Sequence, residues 1–122
     1  MVNEEIIDTM VRMAKEAKLR GFISDGELAG ACILTTDGTL YSACTLENST
    51  GERKYCAPRV VIAKAIADGK LDFDALAIVQ EGELTGICGD GLAMLREMAI
   101  PDLILCNMAG DVKVFSVAEL EG

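Results

Sequence analysis

The chain has 122 residues, with 11 basic against 20 acidic side chains, a formal net charge of −9 and no histidine. An apolar fraction of 51% with only 25% charged residues describes one compact domain, not a disordered chain. The negative charge argues against duplex nucleic acid or an anionic membrane as a partner, and without histidine any chemistry falls to Cys, Asp, Glu, Lys, Tyr or water.

The apolar runs are interrupted every few residues by Lys, Glu or Asp, so none suits a bilayer span. The opening stretch MVNEEIIDTM is acidic where an export signal is basic, and a cytoplasmic protein is expected. Five widely separated cysteines, an odd number, read as thiols or metal ligands and not as a disulfide framework.

In chain order, Ile6, Ile7, Met10, Val11, Met13, Ala14 and Ala17 recur at helical spacing behind Glu4, Glu5 and Asp8. They predict a helix over about residues 3–20, closed by Gly21. LAGACILTT and TLYSACTLE, joined at Asp37-Gly38, form a hairpin, and NSTGERK is a polar loop. Residues 56–68 follow as a helix that is apolar nearly all round and therefore buried, with Gly69 after it. FDALAIVQ reads as a strand covered on both faces. GDGLAMLREMA is a short helix with Asp90 as its N-cap; DLILCNM, a turn at Ala109-Gly110-Asp111, and VKVFSVAEL complete the chain. The order α-β-β-α-β-α-β-β, without linker or repeat, implies a single α/β domain over 1–122, a mixed sheet sandwiched between helices.

Two cysteines stand out. Cys56 and Cys88 each follow a loop and open a predicted helix, where the helix dipole favours the thiolate that binds metal. Two thiols are one short of the three protein ligands usual for catalytic zinc, and the plain alternative for Cys56 is a small buried residue at a helix start. Cys32, Cys44 and Cys106 lie in apolar strands and read as core. The basic cluster Arg53-Lys54 with Arg59 suits one phosphate or carboxylate, or a solvated loop.

GACILTTDGTLYSACTLEN, YCAPRVVIAKAIADG, ALAIVQEGELTGICGDGLAML and LILCNMAGDVKVFSVAEL resemble the small, tetramer-forming cytidine deaminases over almost the whole chain. That family reads V-G-A-A-L-L-x-x-D-G, G-C-N-x-E-N, C-A-E-R-x-A-x-x-K-A, P-C-G-x-C-R-Q and L-x-N-x-x-G-D in the same order, and the step of 12 residues from Cys44 to Cys56 matches its spacing. The resemblance implies a three-layer α-β-α fold with a mixed five-stranded sheet, and zinc-dependent hydrolytic deamination with a non-ligand Glu moving the proton.

Carried across by resemblance, Cys56 and Cys88 fall on two zinc cysteines, the third becomes Gly91, and the catalytic Glu becomes Pro58. Of the ribose-binding pair Glu47 remains and the Asn is Thr45; Glu47-Asn48 either hydrogen-bonds a sugar-like hydroxyl or caps the strand end and orders the loop. Glu27 stands where an aromatic packs on the pyrimidine, Gly51 where a loop tyrosine lies, and Leu92-Ala93 replace R-Q. A proline fits the first helical turn without harm to the fold, so the expectation is a scaffold without the chemistry, with no cofactor. It would keep a nucleoside-like ligand pocket or an assembly role, and would form a homotetramer or homodimer or pair with an active paralogue. The alternative is a zinc-dependent nucleoside or base deaminase with Asp90 standing in beside Cys56 and Cys88; Glu47, Glu52 and Glu83 are its candidate acids.

Overall fold

A computed structural model describes residues 2–20, 29–47, 54–80, 84, 87 and 89–120, with the side chains of Glu47, Lys54 and Asp90 left aside. The elements are α1 (Glu4–Lys18), β1 (Gly30–Thr35), β2 (Leu40–Cys44), β3 (Leu46–Glu47), β4 (Lys54–Tyr55), α2 (Ala57–Ala67), β5 (Phe73–Gln80), α3 (Gly89–Glu97), β6 (Asp102–Asn107) and β7 (Val112–Ser116), then a 3₁₀ turn at Val117–Glu119. Five strands form one mixed sheet in the order β2-β1-β5-β6-β7. Only β5 and β6 run parallel; β1 is antiparallel to both β2 and β5, and β6 to β7. The crossover between the parallel strands is α3, as a parallel pair requires.

Period-two alternation divides the sheet into two faces. Cys32, Leu34, Ala75, Ala77, Val79, Ile104 and Cys106 point to α1, which answers with Met10, Val11 and Ala14. Ala31, Ile33, Leu76, Ile78, Leu103 and Leu105 point the other way, to Val61, Ile62 and Ala65 of α2 and Leu95 of α3. The three-layer α-β-α arrangement with a five-stranded mixed sheet thus stands as expected.

Individual boundaries differ from the sequence reading. Asn3 caps α1, its side-chain oxygen accepting the Ile6 N–H at 2.9 Å, and the helix stops at Lys18, before the expected end at Gly21. β2 ends at Cys44 instead of running through Glu47, because its partner β1 begins at Gly30, opposite Cys44. Leu46–Glu47 leaves the sheet and pairs antiparallel with Lys54–Tyr55. α3 starts at Gly89, so Asp90 falls within the first turn and not at the N-cap. VKVFSVAEL is strand only to Ser116, and the 3₁₀ turn follows. Among the described residues no helix is long and apolar enough to cross a membrane.

Candidate functional site at the start of α2

The backbone fixes the first turn of α2 tightly. Cys56 is the N-cap, extended at φ −67° and ψ 149°, and its carbonyl accepts the Val60 N–H at 3.1 Å, the first helical bond. Its thiol is half-buried and makes no side-chain capping bond. Ala57 and Pro58 occupy the next two positions and both are buried. Proline lacks an N–H, but at the second helical position that N–H would have no intrahelical acceptor, so the helix loses nothing. The turn carries no acidic side chain. Arg59 places its guanidinium carbon 6.0 Å from the centre of the Tyr55 ring, a cation over an aromatic face.

Gly91 is buried within the first turn of α3. It offers no side-chain donor, and Pro58 offers no group that takes or gives a proton. Cys88 and Asn48 lie outside the described residues, as do Glu27, Gly51, Glu52, Arg53 and Glu83. Glu47 is placed by its backbone opposite Lys54 in the β3–β4 pair. Among the described residues no three Cys, Asp or Glu side chains gather closely enough to hold a metal. Of the positions tied to zinc by resemblance, Cys56 brings a thiol, Gly91 brings no side-chain donor, and Cys88 lies outside the described residues.

Thr45 lies where β2 leaves the sheet and is 1% exposed. Its N–H donates to the Ala29 carbonyl at 3.0 Å, while its hydroxyl accepts the Ala29 N–H at 3.1 Å and donates to the same carbonyl at 3.3 Å. The hydroxyl is thus engaged in fastening the entry of β1 to the end of β2.

Of the cysteines read as core, Cys32 and Cys106 are buried and Cys44 is not. Cys32 and Cys106 are fully buried on the α1 face; burial pushes their thiols up to about 12 and about 11, so neither is a ready nucleophile. The Cys106 thiol donates to the Ile78 carbonyl at 3.3 Å. Cys44 is half-buried at the end of β2.

A groove of about 690 Å³ along the outer face of α2 was not evident in the sequence. Val60, Ala63 and Ile66 of α2 line it together with Met94 of α3, Leu46 and Tyr55, and Arg59 contributes its only charge among the described lining residues. Leu46 and Tyr55 are register partners in the β3–β4 pair, so both project from one side of it. The available signal was weak: two apolar residues bracketing a polar loop, which become neighbours only through a two-residue pairing.

No family model matches the chain. It is 32% identical over 119 residues to a cytidine deaminase of Sporosarcina psychrophila, covering 93% of this chain and 87% of that one. A cytidine deaminase of Halalkalibacterium halodurans is 30% identical over 94 residues, covering 75% and 71% respectively. The crystal structure of a cytidine deaminase from Burkholderia pseudomallei superposes with a TM-score of 0.85 at 27% identity, over 97% of this chain and 95% of that one. At 32% identity over most of both chains, and with a matching overall fold, the chain belongs to the cytidine deaminase family.

Proposed function

We propose that this chain keeps the cytidine deaminase scaffold without the deamination chemistry, and that in the cytoplasm it binds a nucleoside-like small molecule or serves in assembly. The observation that carries this reading is Pro58, buried at the second position of α2, where the resemblance puts the acid that moves the proton. Loss of a general acid–base group alone removes about 10²–10⁴ in rate. Gly91 supports the same reading, since it removes a ligand and so weakens any grip that Cys56 and Cys88 would have on zinc. Thr45, its hydroxyl bonded to Ala29, supports a pocket that recognises its ligand differently from a nucleoside deaminase.

The test is elemental analysis of freshly purified protein without added metal, run beside an assay for cytidine-to-uridine conversion. Only trace zinc and no turnover are expected, while nucleoside-like ligands raise Tm. About one zinc per chain with turnover would overturn the reading in favour of a zinc-dependent deaminase built on Cys56, Cys88 and Asp90.

Self-association belongs to the same proposal. The inner face of α2 is buried against the sheet, while its outer face presents the apolar groove with no acidic residue among its described lining. In a chain of net charge −9 such a face lets two copies meet without setting carboxylate against carboxylate. Light scattering should find a dimer or tetramer, and Ala63→Asp should shift it toward monomer; a wild-type monomer at all concentrations overturns this part.

A further inference from the structure

We draw no further inference here: the strongest candidate, the apolar patch that Met108, Val112 and Val114 expose beside the β7 edge of the sheet, is an unpartnered face, and nothing in the structure shows what covers it.

Discussion

The two faces of the sheet are packed by different means. Toward α1 the central strand β5 presents Ala75, Ala77 and Val79, and β1 presents Gly30, so helix and sheet meet nearly backbone to backbone. Toward α2 and α3 the same strand presents Leu76 and Ile78, set against Ile33, Ile62, Leu103 and Leu105, and a thick layer of branched side chains holds the helices off. The candidate positions Cys56, Pro58 and Gly91 all lie at the starts of the helices of this second face, Cys56 as the N-cap of α2. A close-packed face tolerates no added atom, whereas helices on a side-chain cushion can change what their first turns carry and leave the cushion intact. In the turn reading Cys-Ala-Pro-Arg only Ala57 joins that cushion, beside Val61, Ile62 and Ala65 deeper in the helix.

Gly30→Val tests the close face and should have the largest effect. A β-carbon at Gly30 would run into the Ala14 carbonyl oxygen and come within 2.6 Å of the Lys18 backbone nitrogen. Neither can move without displacing α1, so a loss of about 4 kcal/mol or failure to fold is expected in urea denaturation. A variant within 1 kcal/mol of wild type would show that α1 does not lie so close. Ile62→Ala tests the cushion. Ile62 is fully buried between α2 and the sheet, and a loss of about 3 kcal/mol is expected because the surrounding layer collapses only partly. If the two variants proved equally damaging, the difference between the faces would not hold.

Much of this architecture was legible in the sequence because periodicity reports burial directly. The alternating and continuous apolar runs gave β1, β5 and β6, and the helical spacing of Met10, Val11 and Ala14 gave the inner face of α1. What escaped was set by long-range partners. Nothing local in SACTLE says that Cys44 faces the first residue of β1, so the departure of the chain at Thr45 could not be read. The hydroxyl of Thr45 reads as a ligand-facing group in a motif and becomes a fastener only when Ala29 is brought across from 16 residues away. At the candidate site the residue types were legible and their surroundings were not: a Cys-Ala-Pro-Arg string gives the first turn of a helix, but not the Tyr55 ring beneath Arg59.

The far end of α2 refines the comparison, because there the cushioned face is fastened by polar groups. Lys70 pairs with Asp37 at 2.6 Å, the Tyr41 hydroxyl donates to Asp68, and Lys64 donates to the Ser42 carbonyl at 3.0 Å. Its hydrogen bond to Asp68 pushes the Tyr41 phenol up to about 12, with desolvation and the negative charges of Asp68 and Asp37 adding to the shift. A folded-state value raised above the unfolded 10 means that this contribution is complete below pH 10 and is lost as pH rises toward 12. Asp37 is held well below the usual carboxylate range by its bonds to Lys70, Thr35 and Thr39, so its contribution is present above about pH 4 and is lost as pH falls further. In Tyr41→Phe the fall of Tm between pH 10 and 12 should be shallower than in wild type, though not absent, since Cys32 and Cys106 also titrate upward-shifted. Asp37→Asn should flatten the acid limb chiefly, and ease the alkaline limb slightly because its charge also raises Tyr41 and Lys70. Identical pH profiles in all three proteins would mean that these links contribute nothing.

The smallest effect is expected at the end of α3. Ala99 is the one described non-glycine residue with a left-handed backbone, at φ 53°. The position closes the helix: the Ala99 N–H donates to Arg96 and the Ile100 N–H to Leu95, at 3.1 and 2.9 Å. A β-carbon is disfavoured there by about 1–2 kcal/mol, whereas glycine occupies the region without that penalty but gains freedom in the unfolded chain. Because the favourable term exceeds the opposing one, Ala99→Gly should stabilise the protein by about 0.5–1 kcal/mol in urea denaturation. Ala99→Val, with a branched side chain in the same conformation, should do the reverse. Ile100, directly after this turn, is buried in the cushioned face, so the two variants measure how firmly the turn seats α3 on its side-chain layer. A gain in Ala99→Gly with an unchanged urea midpoint in Ala99→Val would place the strain in the turn's alanine alone and leave the seating of Ile100 independent of it.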